Sequence, residues 1–313
     1  MNSKPTVLVS QDKTVFQTVY MEKLWQPYFN IEILDVNKSY NKRDTVVVSD
    51  TLDFENKTNT AECKIAQKGI RHVIDQCWDS WYNQLEGCAD FILRPRYFIW
   101  INESVWYRHL GYHKLVFDNK PCYDFLLLMN EEKPHRTQLY QSLENVLDEN
   151  IYSYNAKGVA LQNAKDAAHN STGWQRYVDT NWYNSTRFSI VAESLVDYEH
   201  YVDFPNCSEK SLKPCAFKHP SIILGQKGTQ QEMLDQGFTT FDHIDYDSVE
   251  DYEERFRLVL EYINLALQNT DLFGDKESLQ KIEHNWNHFY NSSTVEKLFV
   301  DTMVNPLLEF IES

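Results

Sequence analysis

Residues 187–225 have the sequence RFSIVAESLVDYEHYVDFPNCSEKSLKPCAFKHPSIILG. This stretch starts with an apolar run, Arg187–Ala192, and ends with a second one, Ser221–Leu224. Between them, Ser208–Phe217 has the length and the start signal of a helix. Apolar runs of four to six residues separated by helices are typical of parallel strands that are buried on both faces. The stretch therefore predicts a strand, a helix and a second strand of a parallel sheet.

The same alternation extends through most of the chain. Further strands are predicted at Thr6–Ser10, Ile31–Leu34, Thr45–Ser49, Arg71–Ile74, Ala89–Leu93 and Tyr123–Met129. Helices are predicted at Val15–Trp25, Ala61–Lys68, Pro134–Val146 and Thr229–Gln236, and residues 249–313 have a helical pattern. The polar segment Asn155–Tyr183 has weak periodicity and predicts a linker. We therefore expect an α/β protein of two domains, 1–155 and 156–313, with a helical C-terminal tail.

The composition restricts the classes of function. A chain of 313 residues with 42% hydrophobic and 24% charged residues is globular. Its net charge of −16 disfavours bulk binding to nucleic acids or anionic membranes, although a local basic pocket remains compatible with it. The first residues, MNSKPTVLVSQD, lack the pattern of a signal peptide, and no apolar run has the length of a membrane span. Six cysteines without metal-site spacing favour reduced thiols, so we expect a cytoplasmic protein.

The quoted stretch also contains the candidate binding residues. Glu193 follows a predicted strand, at the edge where parallel sheets bind ligands. Ser208 is suited to cap the next helix, Glu209 complements its dipole, and the free N–H groups of its first turn favour an anion. Lys210 and Lys213 add positive charge. These groups are suited to hold a nucleoside diphosphate. Ordinary helix capping and a solvated carboxylate are the alternative interpretation.

The order and spacing of these residues resemble the donor-binding segment of the α-1,3-fucosyltransferase family. In that family an FEN element precedes a TEK element, a helix and a VPVVLG-like strand. The corresponding residues here are Ala192–Ser194, Ser208–Lys210 and Pro220–Gly225. The whole chain also resembles a group of phage and marine-microbe proteins, through segments at Leu126–Arg136, Ser208–Pro214, Leu224–Asp242 and Lys281–Tyr290.

The resemblance implies a GT-B arrangement, in which two Rossmann-like domains face a cleft. It would make 1–155 the acceptor-side domain and 156–313 the domain that binds the nucleotide sugar. It implies no metal and no cofactor, because the nucleoside-diphosphate sugar is a co-substrate. The acceptor would be a glycan or a small molecule.

The resemblance also implies roles for single residues. Glu193 and Glu209 would contact the donor, and Lys210 and Arg187 would neutralise the diphosphate as it leaves. Asn206 differs from the family, which has an aromatic residue two places before the TEK element. That difference weakens the expectation of a guanine base.

Two further residues are candidates for the reaction. Arg136 follows the strong strand Tyr123–Met129, where its guanidinium could bind a phosphate bidentately. Alternatively, it pairs with Glu131 or Glu132 at the start of a helix. Glu103, within the aromatic segment FIWINESVWY, is the candidate catalytic base that takes the acceptor's proton. Asp53 and Asp75 are its rivals.

Two patterns that suggest metal binding have simpler interpretations. Asp245–Tyr246–Asp247 has the form of a DxD metal motif, but its context favours turn and capping roles. His284 and His288 lie one helical turn apart, and without a third ligand nearby they indicate a packed helix face.

The function that we expect is transfer of a sugar from a nucleoside-diphosphate sugar to an acceptor hydroxyl, by an inverting and metal-independent glycosyltransferase. One alternative is sugar transfer to bases of phage DNA. The other is a non-catalytic protein that binds nucleotides or sugars.

Overall fold

The computed structural model describes residues 4–9, 19–49, 64, 66–74, 89–93, 96–117, 121–159, 178–196, 205 and 207–313. The chain divides into two compact units. The first unit contains residues 1–109, 201–203 and 292–313, and the second contains residues 110–200 and 204–291.

The first unit is built on a parallel five-stranded sheet in the order β2-β1-β3-β4-β5. Its strands are β1 Thr6–Val9, β2 Asn30–Ile33, β3 Thr45–Ser49, β4 Arg71–Ile74 and β5 Phe91–Ile92. Val7, Val46 and Val73 are fully buried, as expected for strands that are covered on both faces. A π-helical turn, Met21–Trp25, lies between β1 and β2, and helix α1, Phe98–His109, follows β5.

The second unit is built on a parallel four-stranded sheet in the order β7-β6-β8-β9. Its strands are β6 Tyr123–Met129, β7 Ile151–Tyr154, β8 Thr186–Ala192 and β9 Ser221–Leu224. Its helices are α2 Pro134–Ser142, α3 Glu144–Leu147, α4 Thr180–Ser185, α5 Glu209–Ala216, α6 Thr229–Asp235, α7 Tyr252–Gln268 and α8 Lys276–Phe289.

The helices of the second unit cover its sheet and form its core. Phe125 and Phe188, on neighbouring strands, belong to one buried cluster with Leu139 of α2 and with Val259 and Ile263 of α7. Helix α5 packs against β8 and β9. Such burial is the main source of stability in an α/β unit.

The last helices return to the first unit. They are α9 Ser292–Phe299, a π-helical turn Val300–Val304, and α10 Asn305–Glu312. Arg71 of β4 donates from Nη1 to the Phe310 carbonyl at 2.6 Å and from Nη2 to the Ile311 carbonyl at 2.7 Å. The Phe310 ring stacks on Phe91 of β5 at 4.8 Å. The C-terminal carbonyls of α10 are thereby satisfied by an arginine of the sheet.

The predicted α/β class, with parallel sheets and a helical C-terminal segment, is confirmed. The units divide the chain differently from 1–155 and 156–313, because β6 is the central partner of both β7 and β8. The predicted linker, Asn155–Tyr183, includes the start of α4, and most of it lies outside the described residues. The same holds for most of the predicted helix Ala61–Lys68. Among the helices that the structure describes, none is both long and apolar enough to cross a membrane.

Candidate anion-binding site

The carboxyl ends of β6 and β8 form a topological switch point. β6 leads through α2 and α3 to β7 on one side of it, and β8 leads through α5 to β9 on the other. The connections that leave these two adjacent strands therefore diverge and open a crevice at the carboxyl edge of the sheet. Open parallel sheets bind their ligands in such a crevice.

Glu193, the residue after β8, joins this strand to the start of α5. Its side chain is fully buried. Oε1 accepts from the Ser208 amide at 3.0 Å and from Ser211 Oγ at 2.5 Å. Oε2 accepts from Ser208 Oγ at 2.6 Å and from the Ser194 amide at 3.2 Å. Four donors of the chain itself thus satisfy this carboxylate, so Glu193 positions the site, whereas the sequence predicted a direct contact with donor hydroxyls.

The first turn of α5 presents a charged pair beside Ser194. Ser208 caps the helix, because its Oγ accepts from the Lys210 amide at 3.2 Å. Lys210 Nζ donates to Ser194 Oγ at 3.1 Å and to Glu209 Oε1 at 2.9 Å, and it lies 3.4 Å from Ser208 Oγ. The Lys210 and Glu209 side chains are 25% and 17% exposed. Both charged groups can therefore reach a ligand.

The charges of Glu209 and Lys210 stabilise each other. Burial would raise the pKa of Glu209, but the ammonium groups of Lys210 and Lys213 outweigh it and lower that pKa to about 2. Burial would lower the pKa of Lys210, but the carboxylates of Glu209 and Glu193 outweigh it and raise that pKa. Both groups are therefore ionised at neutral pH. Lys213, one turn further along α5, contributes to lowering the pKa of Glu209.

Arg136 ties the start of α2 to the end of β8. Its side chain is buried, with 2% exposure. Nη2 donates to the carbonyls of Ala192 and Glu193, both at 3.3 Å, and Nη1 donates to the carbonyl of Glu131 at 3.2 Å. Nε is buried and has no hydrogen-bond partner among the described residues. Arg136 is thus at the predicted place, but its guanidinium binds backbone carbonyls.

Two more side chains of the α2 start contact the same loop. His135 Nε2 lies 2.9 Å from the Glu193 carbonyl, and Lys133 Nζ donates to the Ser194 carbonyl at 2.7 Å. Because His135 is buried on a carbonyl oxygen, Nε2 is the protonated nitrogen of its ring. The loop after β8 is thus held from α2 through its backbone and from α5 through the Glu193 side chain.

We call Lys133, Arg136, Glu193, Glu209 and Lys210 the switch-point cluster. Three of its members are formally positive and two are negative, which leaves one positive charge in excess. The excess contrasts with the net charge of −16 for the whole chain. A local positive field at a helix N-terminus, in a crevice at the end of a sheet, is suited to bind a phosphate group.

Arg187 is not part of this cluster, contrary to the prediction. It lies near the start of β8, six residues before Glu193, which is roughly 20 Å along a strand. Its Nη1 pairs with Asp124 of β6, and its Nη2 donates to the carbonyls of Ala266 at 2.6 Å and Asn269 at 2.8 Å. Arg187 therefore caps the end of α7, and it lies at the opposite end of β8 from the switch point.

The candidate base Glu103 lies on α1 of the first unit and is buried, with 3% exposure. Trp100, Trp106 and Tyr107 on the same helix are also buried. Its role as a base stays a prediction. The rivals Asp53 and Asp75, and Asn206 near the donor segment, lie outside the described residues.

The capping interpretation of the DxD pattern is confirmed. The Asp247 carboxylate accepts from the amides of Gln230 at 2.9 Å and Gln231 at 3.0 Å, in the first turn of α6. Asp245 accepts from Ser248 Oγ at 2.8 Å. Within the described ranges, no group of three His, Cys, Asp or Glu side chains is arranged to hold a metal ion.

The two histidines of α8 form a packed face, as predicted. His284 Nε2 lies 2.9 Å from the Gly237 carbonyl, and His288 Nε2 lies 2.9 Å from the Gln236 carbonyl. These carbonyls follow α6, so the pair caps the end of that helix.

Sequence reasoning assigned no role to Ser211 or Lys133. Ser211 stands three residues after the cap Ser208, and residues three apart share a helix face. That spacing could have indicated that Ser211, like Ser208, donates a hydrogen bond from its hydroxyl to Glu193. Lys133 stands three residues before Arg136, at the start of the same helix, and only the fold brings it to Ser194.

Comparisons with known proteins give one similar structure. No protein-family model matches the chain, and no curated protein matches it. A solved structure, "Crystal Structure of alpha1,3-Fucosyltransferase with GDP", is similar with a TM-score of 0.46 and 11% identity. The match covers 94% of this chain and 92% of that chain. The resemblance to phage and marine-microbe proteins stays a prediction.

Proposed function

We propose that this chain is a glycosyltransferase that binds the diphosphate of a nucleotide sugar at the switch-point cluster. The observation that supports the proposal is the hydrogen-bonded link between Glu193 and Ser208. This link joins the two elements of the fucosyltransferase-like segment, Ala192–Ser194 and Ser208–Lys210, at the ligand-binding edge of a parallel sheet. The motif residues thus meet where an anion would bind.

The proposed reaction is a direct, inverting displacement. An acceptor hydroxyl attacks the anomeric carbon of the sugar, the bond from that carbon to the diphosphate oxygen breaks, and the nucleoside diphosphate leaves. Lys210 and the N–H groups of the α5 first turn stabilise the negative charge that builds on the diphosphate. Glu209, which is ionised at neutral pH, accepts hydrogen bonds from hydroxyls of the donor. Glu103 is the proposed base for the acceptor's proton.

Lys210→Ala tests the binding step. Charge-assisted hydrogen bonds to phosphate contribute about 2–3 kcal/mol, so we expect the variant to bind nucleoside diphosphates roughly 30- to 100-fold more weakly. The measurement is titration calorimetry with GDP, UDP, ADP and CDP. The matched control is Lys281→Ala, because Lys281 lies on α8 and pairs with Asp242. Wild-type protein that binds none of the four nucleotides, or a Lys210→Ala variant with unchanged affinity, would contradict the proposal.

A panel of nucleotide sugars separates catalysis from simple binding. An enzyme releases nucleoside diphosphate from the donor that also raises its melting temperature. A non-catalytic binder shows the thermal stabilisation without release. Transfer to hydroxymethylated DNA in place of a glycan or small-molecule acceptor would favour the phage-type alternative.

A further inference from the structure

Lys133 is a cation of the switch-point cluster that has no carboxylate partner. It precedes the first residue of α2 in extended backbone, and its side chain makes no capping hydrogen bond there. Its Nζ donates to the Ser194 carbonyl at 2.7 Å. No carboxylate of the described residues lies within ion-pair distance of this nitrogen. By contrast, the carboxylate of Glu209 pairs with Lys210.

Lys133 and Lys210 converge on one residue. Lys210 Nζ donates to the Ser194 side chain at 3.1 Å, whereas Lys133 Nζ donates to the carbonyl of the same residue. A lysine ammonium has three donors, and the single bond of Lys133 to Ser194 leaves two of them for a ligand.

The surroundings of Lys133 disfavour its charge. Burial lowers the pKa of Lys133, and the positive charges of Arg136 and Lys210 lower it further. The carboxylates of Glu131 and Glu193 offset this in part. A half-buried ammonium beside two other cations is relieved by an anion that bonds to it.

The guanidinium of Arg136 is buried and donates to three carbonyls. The cations of the cluster that retain exposed surface are Lys133 and Lys210. They approach Ser194 from the starts of two different helices, α2 and α5. Two ammonium groups that both bond to Ser194 can each bind one phosphate of a diphosphate, whereas a monophosphate offers a single phosphate.

We propose that Lys133 is a second phosphate-binding residue, which holds a diphosphate together with Lys210 and selects nucleoside diphosphates over monophosphates. This inference rests on the proposed function, because it assigns a residue to the same donor site.

The test is titration calorimetry with GDP, UDP, ADP and CDP, each beside its monophosphate. Lys133→Gln removes the charge and keeps a donor for the Ser194 carbonyl. We expect it to weaken diphosphate binding roughly tenfold and monophosphate binding by less than about threefold. Lys133→Arg retains the charge, so we expect wild-type preference for the diphosphate. Lys133→Met repeats the charge removal if the glutamine variant does not fold.

The outcomes separate this inference from the proposed function. If Lys210→Ala loses diphosphate binding and the charge-removing variants of Lys133 do not, Lys133 has no binding role and the donor site stands. If these variants weaken both nucleotides equally, Lys133 does not select the diphosphate. If the wild-type protein binds no nucleoside diphosphate, the proposed function fails, and this inference fails with it.

Discussion

The two ends of β8 both carry charged side chains, but the charges are used differently. At the start of the strand, Arg187 pairs with Asp124 and donates to two carbonyls at the end of α7, and only its Nε has no hydrogen-bond partner among the described residues. At the end of the strand, Lys133 and Lys210 meet at Ser194 with positive charge in excess. Charges that are paired inside the protein stabilise the fold, whereas an excess of positive charge in a crevice is available to bind a ligand.

β8 also contacts a buried histidine, His219, which precedes β9 and whose ring is hydrogen-bonded within the chain. His219 Nδ1 lies 2.8 Å from Ser189 Oγ, and Nε2 lies 2.9 Å from the Thr186 carbonyl. A neutral ring satisfies both contacts, with Nε2 as the donor and Nδ1 as the acceptor. Both ring nitrogens of His219 are therefore bonded within the chain.

Arg187→Met gives the largest expected effect and tests the structural half of this comparison. It leaves two carbonyls and the partly exposed Asp124 without their donor, so we expect a loss of about 3–4 kcal/mol in the free energy of unfolding. Denaturant unfolding measures the loss. The control is Arg257→Met, because Arg257 pairs with Glu254 and Glu261 on an exposed helix face and contributes less than about 0.5 kcal/mol.

Nucleotide affinity of the folded Arg187→Met variant makes the comparison sharper. We expect it to equal that of the wild type, since Arg187 lies roughly 20 Å from Glu193 along the strand. A variant that keeps its stability but loses nucleotide binding would show that Arg187 binds the donor and is not a structural residue.

The second prediction concerns the pH dependence of stability. Burial lowers the pKa of His219 to about 4, although the hydrogen bond to the Thr186 carbonyl acts in the opposite direction. The unfolded chain then binds a proton at a higher pH than the folded protein does, so stability falls as the pH falls from about 6.5 to about 4. The loss from this residue is about 3 kcal/mol in total.

Unfolding free energies of the wild type and of His219→Asn, measured across this pH window, check the second prediction. The difference between the two proteins should shrink as the pH falls, because only the wild type has the histidine to protonate. A constant difference between pH 7 and pH 4 would show that His219 is not held neutral.

Ser208→Ala gives the smallest expected effect and acts at the other end of β8. The variant loses the cap of α5 and one of the four donors to Glu193, which costs about 1–2 kcal/mol of stability. The control is Asp275→Ala, which removes the cap of α8, where Asp275 accepts from the amides of Glu277 and Ser278.

Calorimetry separates these two cap variants. Both lose stability in thermal melts, but we expect only Ser208→Ala to weaken nucleotide binding, since α5 starts at the switch-point cluster and α8 does not. Equal nucleotide affinities of the two variants would show that the start of α5 does not contribute to nucleotide binding.

Strands with a continuous apolar run were predicted from the sequence, whereas a strand that depends on pairing with a neighbouring strand was missed. β6 and β9 have the predicted bounds, because each contains a continuous apolar run, FLLLM in β6 and IIL in β9. β7, with the sequence IYSY, was missed, since its strand depends on the pairing of Ile151 with Leu126. α4, with the sequence TNWYNS, has weak helix formers and depends on the Asp179 cap and on buried Trp182.

The candidate site was predictable in its position and less so in its roles. The Ser208 cap follows from local chemistry, and the helix start is where the sequence placed it. The burial of Glu193 and Arg136 depends on which elements pack together, so no local pattern could reveal that both bind the chain itself. The resemblance assigned Arg187 to the diphosphate together with Lys210, yet six residues of extended strand separate Arg187 from Glu193.

The return of α9 and α10 to the first unit has a consequence for the order of events during synthesis. Arg71 and the Phe310 carbonyl that it binds are 239 residues apart. At about 5–20 residues per second, the ribosome needs on the order of 10 to 50 seconds to add that length. The inserted second unit emerges within this interval, so it can fold before the first unit receives its last helices. The first sheet therefore gains the Phe310 ring on Phe91 of β5 only after that interval.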